Sequence, residues 1–254
     1  MNTNTLAQVH GYRPNRQLDR QIEAYWDIRS ADFSKLRLKE LTGPCGPAWD
    51  KLLAEKLAAD KPLKILDIGT GAGFFAILLS RQGHQVTGID MSADMLHQAK
   101  QNVLAAGVHA EFAKMNAQEL AFADETFDVV ISRNLTWTLP DVMQAYREWH
   151  RVLRPQGRLL NFDSDYGLMT FSRKDEQADV HANIKEELVV ECNEIKDELR
   201  ISTHRRPLWD AMYLQSLGMK VTIDEDIAPR VHVDPDMHFD TLPLFGITAK
   251  NYHK

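Results

Sequence analysis

Apolar positions along this chain change period as the chain proceeds. From 15 to 41 they recur at near-helical spacing, with Leu18, Ile22, Tyr25, Trp26 and Ile28 standing between charged residues, which predicts a helix. Gly43-Pro44-Cys45-Gly46-Pro47 then breaks the chain twice over, a candidate hinge, and Pro47 suits the first position of a second helix. That helix would carry Trp49, Leu52, Leu53 and Leu57 on one face and end at Lys61-Pro62. From Lys64 the rhythm switches to short β-branched-rich runs separated by helical segments. The runs at 64–68, 85–89, 109–114, 127–132 and 157–163 predict strands, with helices near 93–106 and 141–153 among them. Past Ser164 a charged segment interrupts the series, which resumes with a helix at 206–217, a strand at 219–227 and a last strand near 244–250. Strand–helix alternation of this kind predicts parallel strands with crossover helices on both faces.

The interrupting segment has its own pattern. Val180, Ile184, Leu188, Cys192, Ile195 and Leu199 are spaced by three or four, one apolar stripe on an acidic helix. Packed across the mouth of a sheet, that helix would make a lid.

Composition narrows the class. The 254 residues are 44% hydrophobic and 26% charged, an ordinary globular balance that excludes disordered and fibrous chains. The longest apolar run, Phe74 to Leu79, is far short of the roughly 18 residues of a membrane span, and 1–20 lacks the apolar segment of a signal peptide. Two cysteines, Cys45 and Cys192, build no disulfide framework, so a cytoplasmic location is expected. A net charge of −6 argues against a protein that grips nucleic acid by bulk charge.

The chemistry concentrates in Ile65-Leu66-Asp67-Ile68-Gly69-Thr70-Gly71-Ala72-Gly73-Phe74, an apolar strand, a turn with glycine at alternate positions, and an apolar helix start. Glycines there let the backbone bend and let a ligand approach where a Cβ would collide. The second strand ends at Gly88-Ile89-Asp90, about twenty residues on, where a carboxylate can accept the two hydroxyls of a ribose. That acid suits nicotinamide and S-adenosylmethionine sites alike. The D-x-G-x-G-x-G order of the turn, in place of G-x-G-x-x-G, resembles motif I of the class I S-adenosylmethionine-dependent methyltransferases. Ile89-Asp90-Met91-Ser92, Asn116-Ala117-Gln118-Glu119-Leu120, Phe127-Asp128-Val129-Val130, Leu139-Pro140-Asp141 and Glu148-Trp149-His150-Arg151-Val152-Leu153-Arg154-Pro155-Gln156-Gly157 extend the resemblance to the ubiquinone/menaquinone-type branch, over 64–163.

The resemblance implies an α/β fold: a doubly wound, Rossmann-like, seven-stranded and mostly parallel sheet with helices on both faces, plus N-terminal helices and a helical lid insertion. It divides the chain into an N-terminal cover at 1–46, a cofactor-binding core at 47–163, the lid at 164–206 and a sheet-completing segment at 207–254. It implies S-adenosyl-L-methionine as cofactor, with Gly69, Thr70 and Gly71 beside the methionine part and Asp67 on its amino group. Asp90 would take the ribose and Met91 one face of adenine. The amide of Asn116, where the family usually has aspartate, would accept from the adenine amino group, with the Ala117 N–H on the ring and Arg133 at the cofactor edge. Acceptor contacts are expected from Tyr25, Trp26, Asn134, Trp137 and Tyr166. The expected activity is methyl transfer to a small-molecule acceptor by a monomer or homodimer. An RNA or protein methyltransferase and a non-catalytic S-adenosylmethionine-binding regulator are the alternatives.

In-line methyl transfer needs alignment more than acid–base help. Tyr25, His150, Asp163 and Tyr166 are possible bases, none singled out by the sequence. His232-Val233-Asp234-Pro235-Asp236-Met237-His238 carries two imidazoles and two carboxylates, yet matches no defined metal spacing. No metal is expected.

Overall fold

The computed structural model describes residues 15–172, 180 and 184–252. The chain enters as a 27-residue helix, α1 (Arg16–Thr42), capped by the Asn15 side chain on the Leu18 N–H. A second, α2 (Cys45–Leu57), follows after only Gly43 and Pro44. Pro47 is therefore the third residue of α2, not the first. Gly46 makes so abrupt a corner possible, since a Cβ there would stand 2.0 Å from the Leu41 carbonyl oxygen.

The core then alternates: β1 (Lys64–Ile68), α3 (Phe74–Arg81), β2 (Gln85–Asp90), α4 (Ala93–Ala105), β3 (Glu111–Lys114), β4 (Phe127–Arg133), α5 (Val142–Val152) and β5 (Leu153–Asp163). After α6 (Glu186–Glu198) come α7 (Leu208–Ser216), β6 (Met219–Asp224), the one-turn α8 (Ala228–Val231) and β7 (Phe245–Asn251). The seven strands lie in the order β3-β2-β1-β4-β5-β7-β6. The first five are parallel, and β7 runs antiparallel between β5 and β6. Direction of crossover reverses between β1 and β4, which opens a crevice at their carboxyl ends.

Period-two alternation fills a core on each face. Ile65, Val129, Ile131, Leu160 and Phe162 point to one side, against Trp49 and Leu53 of α2 and the apolar residues Phe74–Leu79 of α3. Leu66, Val130 and Leu159 point to the other, against Tyr146, Trp149 and Val152 of α5 and Leu214 of α7. The first six residues of α3 are apolar all round because they are enclosed, Phe74 through Leu79 each at most 6% exposed.

α1 departs from its expected stripe. Leu18, Ile22 and Tyr25 are buried, but Ile28 is 64% exposed. The inward face is instead largely polar: Arg29, Ser30, Ser34 and Glu40 are buried. Hydrogen bonds replace apolar contact where α1 meets α4, with Asn102 donating to Ser34 Oγ (3.0 Å) and Ser92 to Asp27 Oδ1 (2.5 Å). The insertion is shorter as a helix than its spacing suggested. α6 begins only at Glu186, so Val180 and Ile184 are not on it, and the expected stretch between them lies mostly outside the described residues. Val189, Cys192 and Ile195 are its buried apolar face. No helix among the described residues is long and apolar enough to cross a membrane.

Candidate active site

A cavity opens at the carboxyl ends of β1, β2 and β4, roofed by α1 and bounded by α6 and the loop before β7. Its floor is the turn after β1. Gly69 and Gly71 hold φ of +66° and +52°, in the left-handed region that a side chain disfavours. A Cβ on Gly69 would meet Leu135 at 2.7 Å and one on Gly71 would meet the Phe33 ring at 3.3 Å. Both glycines line the cavity.

Asp90 ends β2 beside this turn. One carboxylate oxygen accepts the Gly71 N–H and the other the Ser92 N–H, both at 2.9 Å. Burial pushes its pKa up to about 6 against the pull of those backbone donors. Asp67 takes a different place from the one expected. Its carboxylate accepts the Thr70 hydroxyl at 2.6 Å, is 2% exposed, and is pushed up to about 7 by burial. Neither Asp67 nor Thr70 lines the cavity. They bond to each other beneath the turn, because the Thr70 side chain folds back on the strand that carries Asp67, and so they shape the turn from below.

Asn116 and Ala117 line the far end with Met91. The Asn116 amide oxygen is already engaged, accepting the backbone N–H of Gln118 at 2.9 Å and its side-chain amide at 3.1 Å. Beside it stands Asp19 of α1, a buried carboxylate that accepts the Gln118 amide at 3.3 Å and is raised by burial. Sequence reading missed Asp19, since a charge on a charged helix carries no local mark. Ala117 is pinned by its carbonyl, which accepts the Trp149 indole N–H at 3.0 Å.

The remaining walls are aromatic. Trp137, Tyr166 and Phe171 pack with centroids 4.9 to 5.5 Å apart, and Tyr25, Trp26 and Phe33 continue the surface along α1. Asn134 sits at φ +51° between them, and its buried amide oxygen has no hydrogen-bond partner among the described residues. Burial raises the phenols of Tyr25 and Tyr166 well above the ordinary value, so both stay protonated near neutrality. His150 and Asp163 do not line the cavity.

Asp163 instead belongs to a buried network behind the aromatic wall. Its Oδ2 accepts from the Thr136 hydroxyl (2.5 Å), the Trp137 N–H (3.1 Å) and Arg206 (3.1 Å). Arg206 also forks onto Asp210, whose Oδ1 accepts the Tyr146 hydroxyl at 2.7 Å. Desolvation raises Asp163 despite Arg206. The i,i+4 spacing of Arg206 and Asp210 was the one trace of this network in the sequence.

An open, mostly parallel sheet with its crevice at the β1/β4 switch and a glycine turn on the crevice floor defines a Rossmann-like α/β protein of the ligand-binding kind. Comparison with known proteins gives the family. Residues 66–161 match the family model of a methyltransferase domain. A demethylmenaquinone methyltransferase of Listeria monocytogenes is 35% identical over 121 residues, 46% of this chain and 51% of that protein. A ubiquinone biosynthesis O-methyltransferase of Alkalilimnicola ehrlichii is 30% identical over 141 residues, 53% of this chain and 57% of that one. The chain thus spans about half the length of the curated relatives it matches. The crystal structure of an S-adenosylmethionine-dependent methyltransferase from Aquifex aeolicus shares the fold, with a TM-score of 0.56 at 20% identity over 85% of this chain and 97% of that one.

Proposed function

We propose that the protein transfers a methyl group from S-adenosylmethionine to a small-molecule acceptor, with the cavity as its active site. The observation that carries this reading is the left-handed Gly69–Gly71 turn on the cavity floor, where Leu135 and Phe33 leave no room for a Cβ, joined to the Asp90 carboxylate at the end of β2. When bound, S-adenosylmethionine supplies an electrophilic methyl on a sulfonium.

The chain's own residues fit that group. Asp90, held by two backbone N–H groups, has lone pairs left for two ribose hydroxyls. The unpartnered amide oxygen of Asn134 is an acceptor for an ammonium. At the adenine end, Asp19, which accepts from Gln118, is the carboxylate and Asn116 its scaffold, a change of role from the one the resemblance implies. Met91 covers a ring face, and the Ala117 N–H serves a ring nitrogen. Tyr25, Trp26, Trp137 and Tyr166 form the acceptor wall and keep water out, so alignment and desolvation carry the rate. With both phenols held protonated, they orient and do not remove a proton. Among the described residues, α1 acts as cover and α6 as lid.

Titration calorimetry with S-adenosylmethionine and with a nicotinamide dinucleotide tests the cofactor. Preference for the dinucleotide overturns the reading. A metabolite screen with isotope-labelled methyl groups then identifies the acceptor.

A further inference from the structure

Three arginines among the described residues line the cavity, and two of them share an acid. Arg37 Nη1 lies 2.6 Å from Glu40 Oε2, and Arg133 Nη2 donates to Glu40 Oε1 at 2.6 Å. Arg29, one turn of α1 before Phe33, has no such partner. The residue is 8% exposed, yet among the described residues its one hydrogen bond runs from Nη1 to the Tyr25 hydroxyl, at 3.1 Å. Its Cζ stands 5.9 Å from the centre of the same ring. Nε and Nη2 are left without an acceptor among the described residues.

The acids around Arg29 are engaged elsewhere. On α1, Asp19 accepts from Gln118 and Asp27 from Ser92, Glu23 and Asp32 pair with Lys114 and Lys35, and Glu40 holds the other two arginines. On α6, which packs against α1, the Cys192 thiol meets the Tyr25 hydroxyl. Burial pushes that thiol up, so it stays neutral and brings no counter-charge. Lys196 and Glu191 also act on Cys192. Lys196 is buried and pairs with Asp197, while the half-buried Glu191 makes no ion pair with Arg29. A desolvated cation with no carboxylate against it is unfavourable, and an anion brought by a ligand removes that cost.

Helical spacing decides which ligand that is. Trp26 and Phe33 lean over the glycine turn: their rings meet edge-on at 5.4 Å, and a Cβ on Gly71 would stand 3.3 Å from Phe33. Tyr25 and Arg29, four residues apart, take the neighbouring face, which meets α6. The guanidinium therefore sits on the lid side of the cavity, beside the aromatic acceptor wall. Its free edge next to a protonated phenol offers the two-point donor set that a planar carboxylate takes.

We propose that Arg29, with the Tyr25 hydroxyl beside it, is a subsite for a carboxylate carried by the methyl acceptor. This rests on the methyltransferase reading and makes its small-molecule acceptor an organic acid.

The test titrates benzoate, cinnamate and hexanoate, each beside its neutral amide, into the S-adenosylhomocysteine complex of the full chain and of its Arg29→Gln variant. No acid is stranded by that change, so the variant is expected to fold. At least one acid should bind wild type more tightly than its amide does. Arg29→Gln should erase the preference, a loss on the order of 10–100-fold for the acid, with the amides and S-adenosylhomocysteine unchanged. A preference that survives in Arg29→Gln, no preference in wild type, or a loss of S-adenosylhomocysteine affinity as large as that of the acids overturns the subsite. Should Arg29→Gln not fold, Arg29→Lys keeps the charge without the fork: a reduced preference supports the subsite and an unchanged one overturns it. Wild type that binds no S-adenosylhomocysteine overturns the methyltransferase reading instead, and the acids titrated into unliganded protein still read Arg29.

Discussion

The Asp90 carboxylate accepts the Gly71 N–H at 2.9 Å, so the end of β2 and the glycine turn after β1 are one unit. A ligand that contacts Asp90 therefore feels the geometry of the turn, and a change in either strand end alters both. The Ser92 N–H on the other oxygen completes the clamp and lets the Ser92 hydroxyl cap α4 through the Met95 N–H at 3.0 Å.

Binding of S-adenosylhomocysteine should weaken as pH falls through about 6. Asp90 accepts ribose hydroxyls best as the carboxylate, and its pKa is raised to about 6 by burial. Titrations from pH 8 to 5 should show the drop, and Asp90→Asn should flatten it while lowering affinity on the order of 10-fold or more. The stability of unliganded protein runs the opposite way. Asp90 and Asp67 bind protons more tightly folded than unfolded, so stability falls as pH rises from 3.8 through about 6 and about 7. A pH-independent affinity would remove Asp90 from the ribose.

Asp19→Asn should weaken binding of adenine nucleosides more than Asn116→Ser does. In the proposed function Asp19 is the carboxylate that faces adenine, while the Asn116 oxygen is held by Gln118. The expected loss for Asp19→Asn is about 1.5–3 kcal/mol, one charge-assisted hydrogen bond. Comparing adenosine with inosine analogues, which lack the amino group, isolates it: the variant should no longer distinguish them.

Gly69→Ala should cost about 1–2 kcal/mol through the left-handed φ of +66° alone, a fall in melting temperature of roughly 2–8 °C. Its Cβ also meets Leu135 at 2.7 Å on the cavity floor. Cofactor affinity should therefore fall by more than the stability loss explains. A Leu135→Ala background, which clears the contact, should recover binding and leave the stability deficit in place.

Arg206→Met should destabilise the protein by about 3–5 kcal/mol, because Asp163 and Asp210 are left buried without their cation. Thermal unfolding should show a drop on the order of 10 °C. The deficit should shrink as pH is lowered, since protonation of the stranded carboxylates relieves it. Trp137 loses its anchored neighbour with Asp163, so acceptor turnover should fall further than donor affinity.

The sequence by itself determined the sheet and the glycine turn on the cavity floor. Each of the seven strands was legible, and the central β1 and β4 most plainly, because a strand buried on both faces needs no information beyond its own residues. The glycine turn and Asp90 were legible for a similar reason: left-handed backbone and a carboxylate at a strand end are local demands written at fixed spacing. Boundaries set by neighbours were less so. β5 begins at Leu153 because that residue pairs with Phe127, ahead of the irregularity that restarts the register at Val129 and Arg158. Only the tertiary structure decided the rest. It turned Asp67 and Thr70 under the turn and away from the cavity. It exposed Ile28 and buried Ser30, Ser34 and Glu40, because α1 meets α4 and the site through hydrogen bonds. It brought Asp19 to Gln118, ninety-nine positions away, and Arg37 to Arg133 across Glu40. No periodicity records such pairings, because each residue is marked only by the partner that folding sets against it.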